Sequence, residues 1–274
     1  MSATPPADRD GRMHARRHAV RRRRVVALVV VTGALLGAGI AVAQSRQDPS
    51  QASVEECIAS IHVASPNWLA GRHAFLLVDS VLLGGVQSVK GNLRGWRVDV
   101  LGRAAVMVPK LEEEIRLTDA RIAPLAIVGV GYNSLWERDR KNYRHWAKEF
   151  DRNTTRLVRT LRRQGAEQIV WVTLRNARRS VVPSSSRWQF DKYSWYFPYV
   201  NERLLLLDKR NPHVVLADWA SVSNRPGITY DAIHLDPDGQ ALMARTIRRS
   251  IEEEGSRQRL ATRAAAVSVC RKRA

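Results

Sequence analysis

Residues 73–84 read "HAFLLVDSVLLG". The apolar run Phe75-Leu76-Leu77-Val78 suits a buried strand, yet Asp79-Ser80 interrupts it before Val81-Leu82-Leu83 resumes and Gly84-Gly85 closes the stretch. A continuous rather than alternating apolar run marks a strand covered on both faces, as parallel strands in α/β proteins are. The polar pair therefore falls at a strand-to-helix junction. It is either a plain turn or a hydroxyl displayed for chemistry, and the remaining strand ends decide which.

Working outward, four more Val-, Ile- and Leu-rich runs follow, at 96–101, 124–130, 169–175 and 213–218. Helical stretches lie between them, at 104–117, 141–164 and 197–209. In 141–164, Trp146, Phe150, Leu157 and Leu161 recur at near-helical spacing, and Gly165 supplies a stop. The last helix opens at "LDPDG" with Asp236 as N-cap, Pro237 at the first helical position and Asp238 in the first turn, and is expected to end near Glu254. Alternating strand and helix predicts an α/β fold, with a five-stranded parallel sheet covered by helices on both faces. The domain is expected over 67–255, after a polar linker at 44–66 and before a basic, solvated tail at 256–274.

The N-terminus has a different character. Residues 1–24 hold eight arginines against Asp8 and Asp10, which accounts for +6 of a net charge of +19. They precede "VVALVVVTGALLGAGIAVA", residues 25–43, which contain no charged side chain. As a helix that run spans roughly 28 Å, close to the hydrocarbon thickness of a bilayer. Basic residues hold their end in the cytoplasm, so everything after residue 43 is expected outside the cell membrane, as a single-pass protein. Ala41-Val42-Ala43 also fits a signal-peptidase site, and cleavage there would make the domain secreted. Export opens a disulfide between Cys57 and Cys270, with two free thiols as the alternative.

In open parallel sheets, ligands bind beyond the carboxyl ends of the strands. Those ends carry Asp79-Ser80, Gly102, Gly131-Tyr132-Asn133, and, before the last helix, Asp231 and His234. A serine hydroxyl needs a base near neutral pH, which histidine supplies, and the histidine needs a carboxylate to hold its tautomer. Asp231, Asp236 and Asp238 compete for that role, and capping claims Asp236. Backbone N–H groups of Ser80 and Gly102 and the Asn133 side-chain amide are available to an oxyanion. Asp79 is expected to brace the turn by accepting from backbone amides.

The order Asp79-Ser80, Gly102, Gly131-x-Asn133, Asp231-x-x-His234 resembles the SGNH (GDSL-type) hydrolase superfamily over roughly residues 70–255. "DSVLLG" and "VDVLGR" look most like the SGNH domains associated with bacterial surface-glycan O-acyltransferases. The resemblance implies a flavodoxin-like αβα sandwich. It makes Ser80 the nucleophile, His234 the base, Asp231 its orienting carboxylate, and Ser80, Gly102 and Asn133 the oxyanion hole. No cofactor is implied. The implied substrate is an ester, with an O-acetylated cell-surface or cell-wall glycan as the leading class and a membrane acyltransferase as a partner. Two positions depart from the family pattern: Val78 stands where glycine precedes Asp-Ser, and Ser134 where Asp follows Asn. An inactive SGNH-fold protein that binds envelope glycan or an anionic polymer is the alternative.

Residues 184–199 gather seven of the eighteen aromatic residues. With Tyr132, three of them (Trp188, Tyr193 and Trp195) are candidates for a cleft wall on which a sugar ring or acyl chain stacks. The basic stretches "RLVRTLRR" and "RNARRS" read as solvated faces. The histidines show no metal-ligand spacing, so no metal site is expected. Nucleic acid is excluded as a partner, because the densest basic block serves membrane topology and no aromatic-basic binding motif is present.

Overall fold

The computed structural model describes residues 49–118 and 121–273. Residues 61–266 form one compact unit, and residues 49–60 with 267–273 form another. The helices in chain order are α1 (Pro49–Ala59), α2 (Asn67–Ala70), α3 (Ser80–Leu83), α4 (Val86–Asn92), α5 (Val108–Thr118), α6 (Tyr143–Arg163), α7 (Arg187–Tyr193), α8 (Phe197–Arg210), α9 (Trp219–Val222) and α10 (Pro237–Arg273). The strands are β1 (His73–Val78), β2 (Arg97–Gly102), β3 (Leu125–Gly129), β4 (Gln168–Val172) and β5 (Val214–Ala217).

Every strand pair is parallel and the order is β2-β1-β3-β4-β5, the flavodoxin-type arrangement of an α/β sandwich. β3 and β4 are buried at every position, which is why their sequences read as unbroken apolar runs. On the helices, Leu111 and Ile115 of α5, Phe150, Leu157 and Leu161 of α6, and Met243, Ile247 and Ile251 of α10 join the same core. The chain reverses its winding direction between β1 and β3, so the segments leaving those two strands open the crevice where ligands bind in such sheets.

Val78 is fully buried at the end of β1, with Gly102 opposite on β2 and Gly129 opposite on β3. A Cβ at Gly102 would lie 2.0 Å from the Val78 carbonyl oxygen and 2.7 Å from Val78 Cγ2, and φ there is +155°. The missing side chain at 102 makes room for the valine at 78. Glycine at 102 is thus required by the strand beside it, a reason distinct from the approach of an oxyanion.

Three sequence expectations change. The segment read as a linker carries α1. The expected helix at 104–117 starts only at Val108, because Ala105 takes a left-handed φ of +57°. The final helix does not stop near Glu254 but runs through Gly255 to Arg273. Gly255 is a packing glycine, since a Cβ there would approach Leu69 Cδ2 to 2.6 Å. Beyond it, the Ala-rich "RLATRAAAV" has high helix propensity and continues the element. Cys57 and Cys270 form a disulfide with Cα atoms 5.9 Å apart. The apolar run 25–43 lies outside the described residues, among which no helix is long and apolar enough to cross a membrane.

Candidate active site

Asp79 is the N-cap of α3, its Oδ1 accepting from Val81 N at 3.0 Å. Capping is done by the aspartate, so the hydroxyl of the next residue, Ser80, is left for other contacts. Asp79 Oδ2 reaches across to the segment after β3 and accepts from Gly131 N and Tyr132 N, both at 3.1 Å. The carboxyl therefore ties the two strand ends that flank the crevice. It has no solvent exposure, and burial pushes its pKa up to about 6 against the pull of its three amide donors and of His234.

His234 Nε2 lies 3.0 Å from Ser80 Oγ, and its Nδ1 lies 2.7 Å from Asp231 Oδ2. The second Asp231 oxygen accepts from Ile233 N at 3.1 Å and His234 N at 2.7 Å. Burial pushes the Asp231 carboxyl up, but the bonds from His234 and Ile233 outweigh it and hold the pKa below its ordinary value. The carboxylate is thus ionised and fixed in orientation by its own loop. That loop is closed by a bridge between Thr229 and Leu235, and by Tyr230 N donating to His234 O at 3.2 Å. The Tyr230 ring lies nearly parallel to the imidazole, 5.9 Å from it. Asp236, in contrast, accepts from Gly239 N at 2.8 Å and caps α10.

Ser80 and His234 line a cavity of about 640 Å³. Ala104, Ala105 and Met107 contribute from the β2–α5 connection, and Asn133, Trp136, Glu137 and Arg138 from the segment after β3. Asn133 Nδ2 donates to Val106 O at 3.2 Å, which fixes the amide and leaves its other N–H. Gly102 sits one strand away beside Val78 and is not among the cavity-lining residues; Ala104 and Ala105 line it instead.

The aromatic candidates are placed differently from expectation. Tyr132 is buried, its hydroxyl accepting from Arg175 N at 2.8 Å and its carbonyl accepting from the Tyr196 hydroxyl. It braces the core behind the site. Trp188 is exposed away from the cavity lining, and Trp195 packs against Tyr196 and Tyr199. Tyr193 stacks at 4.1 Å and 5° on Trp136, and Trp136 is the residue that lines the cavity. The aromatic-rich segment forms a run of short helices over 184–196 that supports this wall from behind. Sequence reading missed Trp136, Met107 and Arg138. The signal for Trp136 was its position three residues after Asn133 in "GYNSLW". Arg175, read as part of a solvated basic face, is buried. No group of His, Cys, Asp or Glu among the described residues has the geometry of a metal site.

The structure is thus that of the SGNH (GDSL-type) hydrolase fold, with a serine, a histidine and an aspartate in hydrogen-bonded sequence at its switch point. No family model matches the chain, and no curated protein does. Among solved structures, it is similar to a GDSL-like lipase from Bacteroides thetaiotaomicron at 14% identity and a TM-score of 0.50, covering 75% of this chain and 98% of that one. It is also similar to the C-terminal catalytic domain of peptidoglycan O-acetyltransferase A from Streptococcus pneumoniae, at 17% identity and a TM-score of 0.45, covering 67% and 94%. A third is an acetyl xylan esterase from Geobacillus stearothermophilus, at 12% identity and a TM-score of 0.42, covering 68% and 94%.

Proposed function

We propose that the chain is a serine esterase or O-acyltransferase of the SGNH type. The observation that carries the reading is the chain of contacts Asp231–His234–Ser80, at 2.7 and 3.0 Å, in the wall of an open cavity. Ser80 Oγ attacks the ester carbonyl carbon while its proton passes to His234 Nε2. The carbonyl oxygen becomes an oxyanion, stabilised by the free N–H of Asn133 and the backbone amide of Ser80, the two expected donors whose residues line the cavity, whereas Gly102 does not. Collapse breaks the ester C–O bond, and His234 returns the proton to the departing alcohol. The acyl group is then on Ser80. His234 next takes a proton from water or from a sugar hydroxyl, whose oxygen attacks the acyl carbon and regenerates the serine.

An O-acetylated envelope glycan is the substrate class we assign. Its support is Trp136, a flat ring backed by Tyr193 and facing the cavity, which suits stacking against a pyranose. We place the domain outside the cytoplasmic membrane, anchored by 25–43 or released after Ala43, and a membrane acyltransferase partner belongs with the transferase branch.

The test is labelling of the full chain with a serine-directed fluorophosphonate, followed by mass mapping, beside hydrolysis of an aryl acetate. Label on Ser80 and turnover that vanishes in Ser80→Ala are expected. Label on another residue refutes the site. A folded wild type as inert as Ser80→Ala supports a glycan-binding protein without turnover instead.

A further inference from the structure

Arg175 follows β4 and is 2% exposed, the one buried arginine among the described residues. A buried cation is usually paired with a carboxylate, yet this guanidinium makes no salt bridge among the described residues. It spends its donors on one loop. Nε donates to Ser223 O at 3.3 Å, Nη2 to Arg225 O at 3.2 Å, and Nη1 to both Thr229 Oγ1 and Ala232 O at 2.8 Å. Ala232 stands between Asp231 and His234 and holds a left-handed φ of +74°. For a residue with a Cβ that conformation persists only where the surroundings impose it.

The backbone of Arg175 is fixed in turn. Its N–H donates to Tyr132 Oη at 2.8 Å, and Leu174 exchanges two bonds with the Asn201 side chain, at 2.7 and 2.9 Å. Tyr132 N is bonded to Asp79, the residue before Ser80. A closed circuit results: Ser80 to Asp79, Asp79 to Tyr132, Tyr132 to Arg175, Arg175 to Ala232, and through Asp231 and His234 back to Ser80. Nucleophile and base come from opposite ends of the fold's sequence, and this circuit joins them from behind.

We propose that Arg175 is a positioning residue for the Asp231–His234 pair, holding the loop at Ala232 so that His234 stays in register with Ser80. The inference rests on the esterase reading above. Lysine cannot replace it, because a single ammonium does not present the planar fork that reaches four acceptors along 223–232.

The experiment compares the full chain with Arg175→Lys and Tyr132→Phe, using 4-nitrophenyl acetate turnover over a pH series, fluorophosphonate labelling rates and thermal unfolding. For Arg175→Lys, kcat should fall about 10²-fold with KM little changed, the scale expected for a misplaced catalytic group. The acid limb of kcat/KM should also move to lower pH, because Asp231 no longer supports the imidazolium. Tyr132→Phe should move both readouts the same way by about tenfold or less in kcat, and it decides the question alone if Arg175→Lys does not fold. A folded variant whose Tm falls while kcat and the acid limb stay at wild-type values overturns the proposal and leaves Arg175 a structural residue. If wild type neither turns over the ester nor takes the label, the esterase reading has failed first, and the inference falls with it.

Discussion

Asp231→Asn is the sharpest perturbation of the site, because the structure dictates how the new amide must sit. The Ile233 and His234 amides donate to one carboxylate oxygen at 3.1 and 2.7 Å, so the asparagine oxygen is held there. Its NH₂ group then faces His234 Nδ1 across 2.7 Å, where a hydrogen must point at the ring. Nδ1 becomes an acceptor and the imidazole proton moves to Nε2, 3.0 Å from Ser80 Oγ. A protonated Nε2 cannot accept the serine proton. Shape and loop bonds are retained while the base is lost, and a wrong tautomer of this kind costs about 10⁴-fold in kcat, or ~5 kcal/mol of transition-state stabilisation. Steady-state hydrolysis of an aryl acetate measures it, with fluorophosphonate labelling as the single-turnover counterpart and thermal unfolding as the control for folding. Asp231→Asn within tenfold of wild type, with Ser80→Ala inert, would refute the orienting role of Asp231.

Three further expectations follow from particular contacts. Trp136→Ala removes the exposed ring of the cavity wall and should raise KM for an acetylated oligosaccharide about tenfold, ~1.4 kcal/mol, while a short alkyl acetate is turned over unchanged; an equal loss on both substrates counts against the platform. Val78→Gly empties the space beside Gly102 and should cost about 3–4 kcal/mol of stability without raising kcat, whereas a faster folded enzyme would show that Val78 restrains Ser80. Asp79 titrates near 6 in the folded protein against an ordinary 3.8, so the folded state binds the proton more tightly and ionisation works against folding. Its contribution amounts to about 3 kcal/mol, absent below the unfolded value and fully felt once pH rises above the folded one. Denaturation midpoints at about pH 5 and about pH 8 should show wild type gaining on Asp79→Asn upon acidification; the opposite drift rules this out.

The strands were legible because apolar runs covered on both faces carry a strong local signal: the residues bounding β1, β2, β3 and β5 fall within one position of expectation, while β4 ends at Val172, three residues before the expected end. The structure brings Ser80, His234, Asp231 and Asn133 together for a related reason: each follows a strand or precedes a helix, and parallel topology gathers such places at one edge. The cavity wall was not legible. Aromatic density singled out residues 184–199, yet density does not tell which face of an element meets solvent, and those rings back the wall that Trp136 presents. Arg175 was misread because "RNARRS" has the composition of a surface, and only long-range partners 48 to 57 residues away remove the first arginine from it. The last helix was expected to end near Glu254, but it continues, and Gly255 there admits Leu69, a packing role that only the fold reveals.

The Cys57–Cys270 bond joins positions 213 residues apart, so nearly the whole described chain lies inside one covalent ring. A single protease cut anywhere between the two cysteines would leave both fragments attached, and separation would wait for a reductant. The same bond also serves as a record of where the chain has been. A ring closed in an oxidising compartment and two alkylatable thiols in the cytosol are different species on a gel, which makes the bond a built-in reporter of the side of the membrane on which the polypeptide folded.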